Sequence, residues 1–327
     1  MRWSQLAAAA GAAAGATAVV VLYRLYQRRQ GCFICMSYNI LIETKVYANR
    51  RDSQWPVRKG LLLKQIRNRA PDLLGMQECG PNQVQELRAA LITAGYQVQH
   101  LFRELPGEEA EGLMLAVKAA TVDVGESGHF WLATETPHIV GSTAPGAAHP
   151  RVAMWVACSL RGHGGNILFV NFHLDHPTTE QGELNRRRGA EEILAFVSEP
   201  RWAGYEVLLI GDSNGEPGAL AYNGFMGSGM LVDSWAECNP EAIKTGAKRP
   251  PTFHNYEGAS FEPPEKWAQT AWPKSLTPGA SHKSCHIDWM LHTRGLQAEK
   301  FEIDHTEADR CLPSDHFAIW SVLRMRA

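Results

Sequence analysis

RVAMWVACSLRGHGGNILFVNFHLD, residues 151–175, is the stretch of sequence that decides the fold. Two apolar runs, 151–159 and 166–174, lie on either side of the turn sequence RGHGG, which predicts two strands joined by a tight turn. Earlier in the chain, a predicted helix over 56–69 separates the predicted strands 33–40 and 73–77. Because helix-linked and hairpin-linked strands occur in one chain, we predict an α/β fold with mixed sheets instead of a uniform parallel βαβ repeat.

The remaining predicted elements follow from the same periodicities. Helices are expected over 82–94 and 183–197, and strands over 206–210, 287–292 and 317–323. Residues 239–284 are rich in Pro, Gly and Ser and are expected to form long loops. The helix over 56–69 has Pro in its first turn, and its spacing predicts one buried face made of Val57, Leu61, Leu62 and Ile66.

Length and composition indicate one globular domain. Of the 327 residues, 45% are hydrophobic and 20% are charged, which is an ordinary globular composition. No internal repeat and no low-complexity linker follows residue 31. We therefore assign residues 32–327 to a single domain and residues 1–31 to a separate N-terminal segment.

The charge balance argues against a long nucleic acid as a partner. The formal net charge is −2, and the chain after residue 32 carries 28 basic and 34 acidic residues, a net charge of −6. Proteins that bind long nucleic acids usually carry a basic domain or a basic stripe. The dense basic run RRR at 186–188 lies in a predicted helix, and we interpret it as a solvated helix face.

The seven cysteines do not form the pattern of a secreted disulfide framework, because their number is odd and they are scattered. Cys32 and Cys35 have CxxC spacing, but the sequence has no second such pair to complete a zinc site. We interpret this pair as structural, and the cysteine usage favours a reducing compartment.

Segment 1–31 is predicted to be a membrane anchor or a targeting sequence. Residues 6–23 carry no charge and are nearly all Ala, Gly, Val and Leu, just long enough for a membrane helix. Three arginines follow this stretch and one precedes it, so the positive-inside rule places the main domain on the cytoplasmic side. The acid-free, arginine-bearing start is also typical of mitochondrial import. A cleaved secretory signal and a dispensable tail are the remaining alternatives.

Polar side chains able to bind a metal or a phosphate stand at the ends of the predicted strands, except that Asp288 stands within the strand 287–292. They are Asn39, Glu78, His173 with Asp175, Asp212 with Asn214, Asp288, and Asp315 with His316. A single Asp or Asn at a strand end is usually a turn residue or a helix cap. So many of them in one chain indicate a functional site, because α/β proteins place their sites in the loops at strand ends.

The residue types at these positions suit phosphoryl chemistry. The carboxylates of Glu78 and Asp315 offer the hard oxygen ligands that Mg²⁺ or Mn²⁺ prefers. An Asp–His pair suits proton transfer or charge-assisted binding of a phosphoryl oxygen. Asn side chains donate neutral hydrogen bonds without competing for the metal.

Two other motif interpretations compete with this one. The sequence GDSNG at 211–215 fits the GxSxG motif of a serine hydrolase after an apolar strand, but Glu216-Pro217-Gly218 follows where a helix should begin. The sequence NFHLDH at 171–176 resembles the HxHxDH zinc motif of the metallo-β-lactamase fold, with Asn in place of the first His ligand.

Nine segments, taken in order, resemble the endonuclease/exonuclease/phosphatase superfamily. They are MSYNI (36–40), PDLLGMQE (71–78), GHFWLATETP (128–137), HPRVAMW (149–155), VNFHLDH (170–176), LLIGDSNGEP (208–217), TFHNYEG (252–258), HIDWML (286–291) and PSDHFAI (313–319). The likeness covers about residues 33–325, and the ordered set is specific although each segment alone is weak. The family's usual GDFN is GDSN here, which keeps both polar positions and changes an aromatic packing position.

The resemblance implies a four-layer sandwich, with two mixed β-sheets face to face, helices outside, and a divalent-metal site at one end. It implies that Glu78 is the main Mg²⁺ ligand, with Asn39 and Asp315 nearby, and that Asn39 also contacts substrate. By the same resemblance, Asp212 orients or deprotonates the attacking water. Whether Asp212 or His316 is the general base stays open.

The resemblance also implies roles for the residues around the phosphate. His173 and Asn214 are expected to stabilise the transition state, and His316 is expected to contact the scissile phosphate while Asp288 orients it. Arg151 is expected to supply a cation to the phosphate. Asp175 and His254 are expected to line the pocket, with a core or loop role as the alternative.

The sequence therefore predicts a Mg²⁺- or Mn²⁺-dependent hydrolase of phosphomonoesters or phosphodiesters that uses direct attack by water. The expected substrate is a phosphorylated small molecule, a lipid headgroup or a short oligonucleotide, since fold alone does not choose among them. The alternatives are a serine hydrolase that uses Ser213 and a membrane-tethered binding protein without turnover.

Overall fold

Two six-stranded β-sheets lie face to face in the computed structural model. The structure describes residues 31–326 apart from 46, 48–49, 106, 108–109, 134, 163–164 and 264–283. The strands of the first sheet are β1 (Cys32–Asn39), β2 (Leu73–Cys79), β3 (Tyr96–Phe102), β4 (Gly112–Lys118), β11 (Leu296–Asp304) and β12 (Ala318–Met325). Those of the second are β5 (Val122–Trp131), β6 (Val152–Leu160), β7 (Asn166–His173), β8 (Tyr205–Asp212), β9 (Leu231–Asp233) and β10 (Asp288–Thr293).

Six α-helices occur in the described part of the chain, and the first four cover the outer faces of the sheets. The six are α1 (Trp55–Arg69), α2 (Pro81–Thr93), α3 (Glu180–Val197), α4 (Leu220–Gly227), α5 (Ser234–Cys238) and α6 (Pro240–Thr245). Helices α1 and α2 bury apolar side chains such as Leu62 and Leu87 against the first sheet. Helices α3 and α4 bury Ile193 and Phe225 against the second sheet. The result is a four-layer α/β sandwich, which confirms the predicted fold class.

Each sheet contains one parallel pair of strands among antiparallel neighbours. The first sheet has the order β11-β12-β1-β2-β4-β3, and the second has the order β5-β6-β7-β8-β10-β9. β1 pairs with β2 in parallel, and β7 pairs with β8 in parallel. A helix joins the two strands of each pair, α1 in the first and α3 in the second, as parallel pairing requires. The carboxyl ends of the strands in each pair therefore lie at the same sheet edge.

The inner faces of the two sheets form the main core. Leu115 and Ile319 of the first sheet pack with Val156, Phe169 and Ile210 of the second sheet in one buried cluster. Each such side chain contributes about 1.5–3 kcal/mol when it leaves water. This apolar layer sets the distance between the sheets and leaves the strand ends free to carry polar groups.

A buried polar link crosses this core near one end. The side chain of Gln77 donates to Asn171 Oδ1 over 2.7 Å, and Asn171 Nδ2 donates to the carbonyl oxygens of Met76 (3.0 Å) and Met114 (3.1 Å). Gln77 and Asn171 are fully buried. Asn171 is thus a structural residue of the core, which removes it from the zinc motif that NFHLDH resembled.

Every predicted helix and strand is present, with ends shifted by at most three residues. The predicted apolar face of α1 is wrong at Val57, which is 42% exposed, because the helix buries Trp55, Arg58 and Gln65 beside Leu62 and Ile66. The solvated interpretation of RRR is wrong at Arg186, which is buried and paired with Glu183 at 2.7 Å.

The predicted loop 239–284 contains the short helix α6, and its residues 264–283 lie outside the described part of the chain. The predicted anchor or targeting segment 1–31 lies outside it too, except for residue 31. In the described part, no helix is long and apolar enough to cross a membrane. The seven cysteines are free thiols in the structure.

Candidate active site

Polar side chains from both sheets meet where the parallel strand pairs end. Asn39 ends β1 and Glu78 lies near the end of β2, both in the first sheet. His173 and Asp212 are the last residues of β7 and β8, and they face each other across the parallel register. Asp288, the first residue of the antiparallel strand β10, pairs with Asp212. Neither sheet alone carries the complete set.

Local backbone geometry positions the side chains of Glu78 and Asp212. Glu78 has a left-handed backbone with φ 57°, and the register between β2 and β4 shifts between Met76 and Cys79. Such a bulge turns a side chain away from regular alternation, and strained conformations cluster at functional sites. Asn214 is also left-handed with φ 49°, and its backbone N–H donates to Asp212 Oδ1 over 2.8 Å. That hydrogen bond fixes Oδ1 of Asp212, so Oδ2 faces Asn39, His173 and His316.

The amide of Asn39 connects the carboxylates of the two sheets. Its Nδ2 donates to Glu78 Oε1 and to Asp212 Oδ2, each over 2.9 Å. The backbone N–H of Leu41 donates to Asn39 Oδ1 over 3.0 Å, which fixes the orientation of the amide. The structure therefore brings together three of the residues that the sequence predicted, at hydrogen-bonding distance.

His316 forms a buried chain with two carboxylates. Its Nδ1 lies 2.9 Å from Asp288 Oδ2, and its Nε2 lies 3.7 Å from Asp212 Oδ2. Burial opposes the charged imidazole, but the negative charges of Asp288 and then Asp212 outweigh it and raise the pKa of His316 to about 10. His316 is therefore an imidazolium near neutral pH, and Asp288 is placed behind it as expected.

His173 has the opposite electrostatic setting. Its Nε2 lies 3.5 Å from Asp212 Oδ2, and its Nδ1 lies 3.4 Å from Glu111 Oε1. Burial, and then the positive charge of Arg151, hold the pKa of His173 well below its usual value. Burial also raises the pKa of Asp212. A neutral imidazole and a carboxylate with raised basicity thus lie side by side, an arrangement that suits metal binding and proton transfer.

The donor set fits a divalent cation. Ligand atoms of Glu78, His173 and Asp212 lie within 4.8 Å of one another, and so do those of Asp212, Asp288 and His316. The two carboxylates offer the oxygen ligands that Mg²⁺ and Mn²⁺ prefer, and the imidazole adds one nitrogen ligand. The predicted ligand Asp315 lies elsewhere in the site, where its Oδ2 accepts from Tyr47 Oη over 2.6 Å and pairs with Lys45 Nζ at 3.6 Å. The structure thus groups Glu78 with His173 and Asp212.

Arg151 lies beside this donor set and is almost completely buried. Its guanidinium is 3.7 Å from Asp175 Oδ1 and 3.9 Å from Glu111 Oε1, and its Nη2 lies 3.0 Å from His176 Nδ1. Asp175 accepts from Asn185 Nδ2 over 3.0 Å and does not line the cavity. Asp175 is thus a neighbour of Arg151 and not a direct pocket residue.

A cavity of about 630 Å³ opens over the site. Its polar lining includes the strand-end residues Glu78, His173, Asp212, Asn214 and His316, together with Arg103, Glu111, His149, Arg151 and His176. Its apolar lining includes Ile42, Phe253, Cys285 and Ile287. This volume lies within the range of sites for small molecules.

The predicted pocket residue His254 does not line this cavity. It is fully buried and stacks on Phe317 with ring centroids 3.9 Å apart. Its neighbour Phe253 faces the cavity and contacts the ring of His316 at 5.0 Å. Phe253 pairs with His316 through an isolated antiparallel bridge. Because successive residues of an extended chain point to opposite sides, His254 points away from the cavity that Phe253 lines.

Glu111, Lys45, Tyr47 and Phe253 were missed by sequence reasoning. Glu111 immediately precedes β4, so the strand-end signal would have found it if that strand had been recognised. Lys45 and Tyr47 lie in the loop between β1 and α1, which carries no periodic pattern. Their proximity to Asp315 is a long-range contact that the sequence does not show.

The serine-hydrolase interpretation is wrong. Ser213 is fully buried, and its hydroxyl donates to the carbonyl oxygen of Ile287 over 2.6 Å. It also lies 2.9 Å from the carbonyl oxygen of Gly215. A serine nucleophile needs exposure and a neighbouring base, and this serine instead fixes the backbone between Asp212 and Asn214.

Comparison with known proteins gives a consistent result. A Bacteroides vulgatus protein described as an endonuclease/exonuclease/phosphatase has 25% identity and a TM-score of 0.70, with 90% of this chain and 99% of that chain covered. A mannosyl-6-phosphatase of Bacteroides thetaiotaomicron has 23% identity and a TM-score of 0.67, with 89% and 99% covered.

A curated relative matches over a shorter stretch. The inositol phosphosphingolipids phospholipase C of Saccharomyces cerevisiae is 32% identical over 75 residues, which are 22% of this chain and 16% of that protein. The family model described as Endonuclease/Exonuclease/phosphatase family matches residues 36–316, which include every strand-end residue discussed above. The chain therefore belongs to the endonuclease/exonuclease/phosphatase family, whose members act on phosphoesters.

Proposed function

We propose that this protein hydrolyses phosphoesters of small molecules by direct attack of water, with a divalent cation bound at Glu78, His173 and Asp212. The observation that carries the proposal is the position of Asp212 Oδ2, which lies within 3.7 Å of Asn39, His173 and His316. One carboxylate thus contacts an amide donor, a neutral imidazole and an imidazolium. This combination supports positioning of water against a phosphoryl group.

Each residue around Asp212 has a distinct role in this proposal. Asp212 accepts the proton of the attacking water, because its Oδ2 lies in the cavity between the rings of His173 and His316. His316 donates to phosphoryl oxygens as an imidazolium, and Asp288 keeps it charged. Asn214, which lines the cavity, donates a neutral hydrogen bond to the same oxygens. The bound cation would supply charge neutralisation at the phosphoryl group.

The cavity favours a compact substrate over a polymer. It holds about 630 Å³, and its apolar lining residues can contact a carbon-rich part of the substrate while Asn214 and His316 contact the phosphate. The relatives described as a mannosyl-6-phosphatase and a sphingolipid phospholipase C support phosphorylated sugars and lipid headgroups as classes to test. A short oligonucleotide is the third class, and the acidic main domain disfavours a long nucleic acid.

The decisive experiment measures hydrolysis of p-nitrophenyl phosphate and bis-p-nitrophenyl phosphate by the full chain. Mg²⁺ or Mn²⁺ should support turnover, and EDTA and Asp212→Ala should each abolish it. Asp304→Ala is the matched control, since Asp304 is a buried carboxylate that does not line the cavity. Turnover that survives EDTA would refute metal dependence. No turnover with any tested class, despite a folded protein, would favour the binding protein without catalysis.

A further inference from the structure

Lys45 is held over the site by two anchors of its loop. On one side, Glu43 Oε1 accepts from the backbone N–H of Asn82 over 2.9 Å, at the start of α2. On the other side, the Tyr47 hydroxyl donates to Asp315 over 2.6 Å and the Tyr47 backbone N–H donates to Ser53 Oγ over 3.0 Å. Lys45 lies between these anchors, so the loop determines where its ammonium group can reach.

The ammonium group of Lys45 faces several carboxylates. Its Nζ lies 3.6 Å from Asp315 Oδ2, and the charges of Glu78 and Glu111 also attract it. The side chain lines the cavity and is 52% exposed. Arg103, in contrast, is bound to Glu111 at 2.6 Å. Lys45 can therefore turn on its flexible stem, and Asp315 keeps the hydrogen bond from Tyr47 when the lysine moves.

We propose that Lys45 is a displaceable counter-ion: it neutralises the carboxylates at Asp315 and Glu78 in the metal-free protein and turns to the phosphoryl oxygens when a divalent cation binds. This inference rests on the proposed function, because it needs a cation near Glu78. Two positive charges near Glu78 repel each other, and the half-exposed lysine can turn toward the centre of the cavity that it lines. The same lysine then meets the negative charge of the substrate phosphate.

The inference makes two opposite predictions for Lys45→Met. Binding of Mn²⁺ without substrate should tighten by up to about fivefold, since exposed ion pairs contribute little. Binding of inorganic phosphate to the Mn²⁺-loaded protein should weaken by about tenfold or more, because a charge-assisted contact is lost. Electron paramagnetic resonance of free Mn²⁺ measures the first constant, and titration calorimetry measures the second. Neither readout depends on turnover.

Lys59→Met is the matched control. Lys59 also pairs with a carboxylate, Glu86 at 3.0 Å, but this pair lies outside the cavity. Both binding constants should stay at their wild-type values in this variant. Lys45→Arg keeps the charge and should leave the Mn²⁺ constant unchanged. If Lys45→Met does not fold, Lys45→Arg takes its place in the experiment. A clear change in the Mn²⁺ affinity of Lys45→Arg would then overturn the inference.

The outcomes separate the inference from the function on which it rests. Tighter Mn²⁺ binding together with weaker phosphate binding supports the exchange. Unchanged or weaker Mn²⁺ binding by Lys45→Met, or unchanged phosphate binding, overturns the role of Lys45 and leaves the proposed function intact. A wild-type protein that binds no Mn²⁺ would refute the proposed metal site itself.

Discussion

Replacement of Asp288 by Asn is expected to move the alkaline limb of the pH–rate profile to lower pH. Asp288 is buried, and its Oδ2 lies 2.9 Å from His316 Nδ1. Its charge is the main reason that the pKa of His316 rises to about 10 in spite of burial. The asparagine keeps a polar group of the same shape and removes the charge, so it isolates the electrostatic contribution.

The size of the shift follows from the strength of one charge-assisted hydrogen bond. Such a bond contributes about 1.5–3 kcal/mol, and one pKa unit corresponds to about 1.4 kcal/mol. The pKa of His316 should therefore fall by about one to two units in the variant. Because a raised pKa keeps the imidazolium charged until the pH passes that value, the variant should lose its donor at a correspondingly lower pH. The rate should then decline earlier as the pH rises.

The assay is the initial rate of phosphoester hydrolysis with saturating Mg²⁺ across the neutral and alkaline range. Asp304→Asn is the control, since it removes a buried carboxylate that does not line the cavity and should leave the limb in place. An alkaline limb that stays at its wild-type position in Asp288→Asn, or that moves to higher pH, would refute the charged role of His316. A uniform loss of rate without a shift would leave Asp288 a merely structural role.

Three further predictions concern binding and stability. Phe253→Ala should raise the KM of p-nitrophenyl phosphate about two- to tenfold relative to that of glycerol phosphate, because an aromatic contact in the cavity is lost; equal changes for both esters would contradict this. Arg186→Met should lower the free energy of unfolding, measured by urea denaturation, by about 3–5 kcal/mol, because it leaves Glu183 as a buried charge without its ion-pair partner. A loss of stability as small as that for an exposed ion pair would refute this prediction. Burial alone would raise the pKa of Asp304, but the hydrogen bond from Arg69 brings it below its usual value, so its contribution is present at neutral pH and lost as the pH falls through the folded-state pKa. Asp304→Asn should thus be less stable than the wild type at neutral pH, with the difference vanishing in acid.

The parts of the fold that could be predicted are those in which the local pattern and the tertiary environment agree. Strands β7 and β8 are continuous apolar runs because both faces are covered, one by the opposite sheet and one by α3 and α4. Strand β5 was missed because it is an edge strand with largely exposed residues and two glycines, so it lacks a clear alternation. Strand β5 is held in the sheet by its pairing with β6, a contact that its own sequence does not show.

Site residues at strand ends could be predicted from the sequence, whereas site residues in loops could not. Asp212 and His316 follow or precede strong apolar runs, and the structure brings them within 3.7 Å. The choice of Phe253 over His254 as the cavity residue depends on one bridge to His316, which is a contact between distant parts of the chain. Lys45 reaches Asp315 in the same way, across 270 positions of sequence. No periodicity within either segment can report such a contact.

The polar link between Gln77 and Asn171 makes catalytic activity a reporter of how the two sheets are aligned. Gln77 directly precedes Glu78, and Asn171 lies two residues before His173, so any slip between the layers would separate the donors of the proposed metal site. Heating or denaturant that loosens the interlayer contact should inactivate the protein before its sheets unfold. The residues proposed to bind the cation thus lie in both sheets, and they can act together only while the two sheets stay in register.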